Sequence, residues 1–407
     1  MQVQSIQDKI TRFLERKFRA SRSLSTKNTY NSSLRQFIKF LDIQYSFDLE
    51  QLLKKIETKD LDPVEVLDNF YSYLSQYKRE NSEKIGYSNH TICDYITVAK
   101  EFLNGEGCKI YNEDIKQRFR LPRKSYVYEK GLTKDIINRI IRLANPKLAA
   151  TVLIACSSGM RIGEIVQLRL SDIDFTLDPV TITVRAETTK TQETRITHIS
   201  SEAASALKDY LSRQSLPKQN EEYAFLLQHE DRLRRLRKRL NENQYNNNGH
   251  KKLDEKNIRI LELNLNNITK EERYAKSVLS TNHNLEKQLF NLIKNIPELC
   301  VKNENGRSSI HFHAFRAWFK TQVTDAHQSD FAEALMGHKS LRLLYYRQND
   351  KVRAKTYLDV EHAVTISDTE KIDRNYSYMQ KDNSELRGIV DSLSRQLRSL
   401  EKRIEIT

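Results

Sequence analysis

The chain has 407 residues, a formal net charge of +14, 38% hydrophobic and 30% charged residues. This is enough for two or three domains with their own cores, while no apolar run approaches a membrane span. Cys93, Cys108, Cys156 and Cys300 lie far apart without a CxxC pair, which excludes a disulfide framework and a zinc knuckle and leaves reduced thiols as the expectation. The surplus of cations is spread along the chain and points to a polyanion, most simply nucleic acid. A membrane surface would call for a basic amphipathic helix at a terminus, and the opening MQVQSIQDKITRF has no apolar core of a signal peptide, so a cytoplasmic protein is expected.

Apolar spacing predicts a series of helices in the first third of the chain. Residues 1–20 carry Ile6, Ile10, Phe13 and Leu14 on one side. Ser25 is read as the cap of a second helix with Tyr30, Leu34, Phe37, Ile38 and Leu41 as its stripe. Asp62-Pro63 opens another, with Val66, Phe70, Tyr73, Leu74 and Tyr77. Ser88 precedes one bearing Ile92, Tyr95, Ile96, Ala99, Phe102 and Leu103, and a shorter helix covers Asp114 to Phe119. These make a helical domain over residues 1–121. Tyr30, Lys27 and Lys39 suit a phosphate contact or an ordinary core and surface role equally well.

Residues 122–131 break the helical period around Pro122 and read as a basic linker. Thr133 then caps a helix with Ile136, Ile137, Ile140 and Ile141, and Pro146 starts the next. In CSSGMRIGEIVQLRLSDID, from Cys156 to Asp174, the spacing of Ile162, Ile165, Val166 and Leu168 predicts a buried helix, with Gly159 ending the preceding one. Arg161 therefore sits at a buried helix start, where a charge needs an anion. Glu164, one turn along, is one such anion, and a phosphate held by the guanidinium fork is the other. The period then changes: TITVRAE and TRITHIS alternate as strands around the polar turn TTKTQE. Lys190 stands at that turn, either as a solubilising turn residue or as an amine reaching over a ligand. Ser200-Ser201 cap a helix with Ala204, Leu207 and Leu211.

Residues 228–275 are charged, Asn-rich and poor in large apolar residues, which predicts a protruding, partly disordered insertion. HNLEKQLFNLIKNI is an amphipathic helix. His313 and Arg316 share a face of the following helix, whose core side is Phe315, Trp318, Phe319 and Val323. Gly337 ends a short helix just before His338. His311, His313 and His338 invite a zinc reading, but no Cys or carboxylate completes the set, and no metal or cofactor is expected. In the tail 367–407, Asn383, Val390, Leu397 and Ile404 at a, with Leu386, Leu393 and Leu400 at d, predict a coiled coil over about 379–404. The fold class is mainly α with a small antiparallel β-sheet.

The basic groups stand in an order that resembles the tyrosine recombinase, or phage-type integrase, family. Gly159-Met160-Arg161-Ile162-Gly163-Glu164 is similar to its GxRxxE turn; Lys190, with Arg195 after it, to its β-turn lysine; His313-Ala314-Phe315-Arg316 to HxxR; Gly337-His338 to GH; and Tyr345-Tyr346 to the tyrosine soon after. The likeness spans residues 20–365, and YYRQNDKVRAKTYLDV is most similar to integrases of archaeal mobile elements. It implies a helical DNA core-binding domain and a catalytic domain over 132–366 that cleaves and rejoins double-stranded DNA through a 3′-phosphotyrosyl link, without metal or ATP. By the same resemblance Arg161 and Arg316 clamp the phosphate oxygens and Lys190 protonates the 5′-oxygen. His313 assists proton transfer, His338 bonds the phosphate and Glu164 supports Arg161. Helix neighbours point ~100° apart, so only one of the pair can face the phosphate, and the resemblance to integrases of archaeal mobile elements, whose second tyrosine attacks, favours Tyr346 over Tyr345; Tyr357 lies too far along. The family also implies a homo-oligomer on DNA, a tetrameric synapse, with the final helix, Val352 to Ile366, docking onto a neighbouring subunit. A non-cleaving DNA-binding protein of the same fold and a type IB topoisomerase-like relaxing enzyme share these features.

Overall fold

The structure is a computed structural model that describes residues 5–78, 85–122, 131–214, 222–226, 233–300 without 235, 239 and 241–247, then 302, 308–338, 349–367 and 386. Outside them lie most of the expected linker, the pair Tyr345 and Tyr346, and the heptad tail but for Leu386. The chain divides into two units, Met1–Tyr128 with Gln228–Leu279, and Glu129–Leu227 with Ser280–Thr407.

The first unit is helical: α1 (Ile6–Ser21), α2 (Leu24–Tyr45), α3 (Leu49–Glu57), α4 (Pro63–Gln76), α5 (Asn89–Gly105) and α6 (Asn112–Arg118). Its core is aromatic, with Phe37, Phe40, Phe70 and Phe102 fully buried, and Phe37 meeting Phe70 edge-on at 5.1 Å. Asp62 and Ser88 cap α4 and α5 as expected. Helix α2 begins earlier than expected: Ser23, not Ser25, accepts from the Thr26 N–H, because Arg22 takes a left-handed conformation and turns the chain there. The sequence reading missed α3, which is closed by a capping box between Asp48 and Gln51. Tyr30 donates its hydroxyl to Glu101 at 3.1 Å, and Lys39 lies over the Tyr77 ring at 5.2 Å, so both have partners inside the unit.

The described residues of the polar stretch are largely helical and bury a few apolar side chains. Helix α11 (Asn248–Asn267) and helix α12 (Lys270–Lys294) occupy much of it, and Leu233, Leu236, Ile258 and Leu261 form a small apolar cluster. Each contributing segment offers only an i, i+3 pair, which is enough for one stripe and easily lost among charges.

The second unit is built on α8 (Pro146–Ser158), preceded by α7 (Lys134–Leu143). Leu148, Val152, Leu153, Ile154, Ala155 and Cys156 are all buried, so α8 is apolar all round and central. Against it pack α10 (Ser201–Ser212), α13 (Phe312–Asp325) and α15 (Asp350–Val364). The buried helix expected from Ile162 onward is only α9 (Ile162–Val166); the chain then passes through a 3-10 turn into β1 (Ile173–Asp174). Arg185 causes that break, donating to the Gln167 carbonyl at 2.6 Å and to Asp172 at 3.0 Å. Strand β1 joins β2 (Val180–Val184) and β3 (Arg195–Ile199) in an antiparallel sheet of order β1-β2-β3, with Val184 opposite Arg195 and Ile182 opposite Thr197. On α10 the buried aromatic is Tyr210, with Leu211 half-buried.

Helix α15 is packed within its own unit through both side-chain and backbone bonds. Tyr357 is fully buried and donates its hydroxyl to the Ser157 carbonyl at 2.8 Å. Buried Glu361 accepts from the Ser201 N–H and hydroxyl at 2.8 and 2.9 Å, while Glu202 accepts from the N–H groups of Ile366 and Ser367 at 2.9 and 3.0 Å. Two carboxylates thus bracket α10 and α15 reciprocally.

His198 on β3 lies beside Tyr357, with ring centroids 5.3 Å apart. Burial first, and then the charge of Arg353, lower its pKa from 6.5 to about 4, with Asp350 opposing. As pH falls below about 6.5 the unfolded chain takes up a proton that the folded chain refuses until about pH 4, so this residue costs stability across that window. Thermal unfolding of the His198→Gln variant is expected to lose less between pH 6.5 and pH 4 than the wild type does; parallel curves would refute it.

Candidate active site

The site forms where α8 ends. Gly159 takes φ +63 and stops the helix, and its N–H bonds the Ala155 carbonyl at 3.1 Å. A helix end leaves carbonyls without intrahelical partners, and here three successive ones find side chains. Ser157 receives the Tyr357 hydroxyl, Ser158 the Thr197 hydroxyl at 3.1 Å, and Gly159 a guanidinium N–H of Arg316. The negative end of the helix dipole favours the last of these, because its donor is a cation.

Arg316 is 1% exposed. Its Nη2 also donates to the Met336 carbonyl at 2.9 Å and to His338 Nε2 at 3.0 Å, while its buried Nε has no protein partner. Burial, then the charges of Arg161 and, less strongly, Arg195, lower its pKa to about 10 against the help of Glu164 and Glu333, so it is a cation at neutral pH. Because Nε2 of His338 accepts from Arg316, Nδ1 carries the proton and donates to Glu333. Glu333 also pairs with Lys320. Burial raises its carboxyl pKa, but the hydrogen bonds from Lys320 and His338 more than offset this, and the net shift is downward.

Arg161 is the N-cap of α9, and Glu164 closes a capping box with it: Oε2 accepts the Arg161 N–H at 2.9 Å and Oε1 accepts Nη1 at 3.0 Å. Glu164 is 2% exposed and receives a second arginine, Arg195, with Nη2 to Oε2 at 2.6 Å. Burial raises its pKa, yet Arg195 first and then Arg161 bring it below the ordinary value. Four cationic side chains, Arg161, Arg195, Arg316 and Lys320, thus face two carboxylates. The excess positive charge and the fixed guanidinium donors suit a tetrahedral oxyanion.

The structure therefore brings two bonded groups together at the Gly159 turn, Arg161 with Glu164 and Arg316 with His338. His313 is exposed one turn before Arg316 on α13, its ring 6.3 Å from that of His311. Lys190 is exposed on the turn between β2 and β3. Both ring nitrogens of His338 are engaged, against a zinc role with His311 and His313, and among the described residues no group of three His, Cys, Asp or Glu side chains is placed to hold a metal. Tyr357, its hydroxyl committed to Ser157, is a core residue whose pKa burial pushes well above the ordinary value. Sequence reasoning gave Arg195 no role of its own and missed Glu333. A signal for Arg195 was present: it shares a strand face with Thr197 and Ile199, both buried, where a charge is out of place without a partner.

Residues 130–268 match the model of the phage integrase family. Among solved structures the chain is similar to XerA recombinase, at 18% identity over 87% of this chain and 98% of that one, with a TM-score of 0.33. It is also similar to XerH site-specific recombinase bound to palindromic difH substrate in a post-cleavage complex, at 18% identity over 82% and 78%, TM-score 0.46. A third likeness is to a lambda integrase dimer bound to a COC′ core site, at 14% identity over 85% and 100%, TM-score 0.45. At these scores the overlays set no residue correspondence. No curated protein matches the chain, and among the described residues no helix is long and apolar enough to cross a membrane.

A Cβ on Gly159 would stand 2.5 Å from Phe319 Cδ1 and 2.8 Å from Met336 Cγ, in a backbone region that L side chains avoid. Phe319 is fully buried and has no room to withdraw. Gly159→Ala is expected to destabilise the unit by about 2–4 kcal/mol, read as a lower unfolding midpoint in denaturant; an unchanged midpoint would refute the packing described.

Proposed function

We propose that this chain, which carries a phage integrase family domain over residues 130–268, is a site-specific tyrosine recombinase that cleaves and rejoins double-stranded DNA. The observation that carries the reading is the gathering at the Gly159 turn of Arg161, bonded to Glu164, and of Arg316, bonded to the Gly159 carbonyl and to His338. A phosphodiester transition state collects charge on its non-bridging oxygens. Two fixed guanidiniums meet that charge, and losing one such donor typically costs about 3–4 kcal/mol of barrier.

In this mechanism the Tyr346 oxygen attacks phosphorus and the bond to the 5′-oxygen breaks, leaving a 3′-phosphotyrosyl ester and a 5′-hydroxyl. Lys190 gives the proton to the departing 5′-oxygen, a task suited to an amine on an exposed turn. His313 takes part in proton transfer at the tyrosine, and His338, held by Glu333, keeps its ring oriented toward the phosphate. Glu164 holds Arg161. Since one ester replaces another, the reverse attack by a 5′-hydroxyl reseals the strand without ATP.

The excess of basic residues supports duplex DNA as partner, with the helical first unit as its core-binding module and the cytoplasm as the place of action. Exchange between two sites requires several copies on the DNA, and a tetrameric synapse, aided by the heptads at 379–404, meets that requirement. A nicked suicide duplex tests the whole reading. The wild-type chain and Tyr345→Phe are expected to form a covalent protein–DNA adduct on denaturing gels, and Tyr346→Phe none. Adduct from Tyr346→Phe would overturn the choice of nucleophile; none from the wild type would leave a binding protein; relaxation of supercoils without site preference would favour the topoisomerase reading.

A further inference from the structure

We infer that Arg195 is a positioning residue that locks the arm of the site carrying Arg161 to the arm carrying His338, an inference that rests on the recombinase reading. Its guanidinium serves both arms at once. Toward the first, Nη2 and Nη1 meet Oε2 and Oε1 of Glu164 at 2.6 and 3.3 Å, a forked pairing with the carboxylate that also holds the backbone N–H and Nη1 of Arg161. Toward the second, Nε donates to the Leu335 carbonyl at 2.8 Å. Leu335 lies in the last turn of α14 (Ser329–Met336), whose C-cap is Gly337 and whose next residue is His338.

The chain is fitted to this arginine. Gly337 has φ +69, and a Cβ there would stand 2.9 Å from Cδ of Arg195 and 3.1 Å from its Nε, so the backbone entering His338 lies directly on the arginine stem. The neighbouring carbonyl, of Met336, is taken by Arg316. Two arginines from different elements thus hold two successive carbonyls at one helix end. One of them reads Glu164 with its other donors, while the other reaches Gly159 and His338.

A division of labour between the two partners of Glu164 follows. The Arg161 side chain is 29% exposed, whereas that of Arg195 is 9% exposed. When Arg161 turns its guanidinium to a phosphate oxygen, the buried carboxylate keeps a full counter-charge in Arg195, and the Arg161 backbone stays capped. A lysine cannot take this place. Its ammonium is a single point on a flexible stem, able to reach the carboxylate or the carbonyl but not to fork across one while holding the other.

The test is single-turnover cleavage of a nicked suicide duplex by the full chain and by Arg195→Lys, alone and combined with Glu164→Gln, alongside duplex affinity and thermal unfolding. The adduct rate of Arg195→Lys at saturating DNA is expected to fall about 100-fold, the typical effect of a misplaced catalytic group. Affinity should stay within about threefold and the unfolding midpoint within about 3 °C. The double variant should lose little more than the larger single loss, because both substitutions break one unit. Cleavage at the wild-type rate, losses that multiply, or a rate loss matched by lost affinity and a collapsed midpoint would each overturn the inference, the last by making Arg195 structural only. No adduct from the wild type itself would overturn the recombinase reading, and this inference with it.

Discussion

The carbonyls at the end of α8 are the constraint on which the second unit depends. A helix that is buried on every side cannot leave its last carbonyls to water, and the chain answers with three donors from three elements: Tyr357 from α15, Thr197 from β3 and Arg316 from α13. Each bond satisfies a backbone group and also fixes the element that supplies the donor. The same device recurs at the end of α14, where Leu335 and Met336 accept from Arg195 and Arg316. The site is the place where these two helix ends come together. Arg195 and Arg316 are held by main-chain oxygens, which cannot change rotamer, and Arg316 is therefore fixed before any ligand arrives.

The electrostatics follow from that geometry. Arg316 gives up water, and its pKa falls to about 10, yet carbonyl dipoles and the carboxylates of Glu164 and Glu333 keep it charged. Glu164 is buried more deeply than most carboxylates survive, and it remains ionised because two guanidiniums share it. His338 completes the set as a neutral ring whose tautomer is dictated from both sides. An oxyanion entering here meets Arg316 already in place, and only the more exposed Arg161 has to turn toward it.

Local chemistry made much of this fold readable. Asp62-Pro63, Ser88, Thr133 and Pro146 mark helix starts because a cap is decided within four residues, and all four stand where expected. The capping box of Asp48 and Gln51 was equally local, and α3 was overlooked because Leu49 and Leu52 make too short a stripe. Strand β1 is two residues long and exists only through its pairing with β2. The arginine and histidine positions were legible as motifs, whereas Arg195 and Glu333 were not. Arg195 acts through a carboxylate 31 residues away, and the contact that gives it meaning is made only after folding. In the polar stretch four leucine and isoleucine side chains among many charges suffice for a local cluster, which composition alone does not show.

The turn at Gly159 also says where the length of this chain can vary. Between the last turn of α8 and the first turn of α9, the Gly159 N–H and carbonyl, the Met160 N–H, bonded to Ser158 at 3.2 Å, and the Arg161 N–H are all committed. One added residue would carry Arg161 and Glu164 together away from Arg195 or detach Gly159 from Arg316, so this junction has no slack. The polar stretch around α11 carries its own small cluster and is free of that bookkeeping. Insertions and deletions are tolerated where a segment satisfies itself and rejected where successive peptide groups answer to three other elements. In this chain those two regimes lie within about a hundred residues of each other.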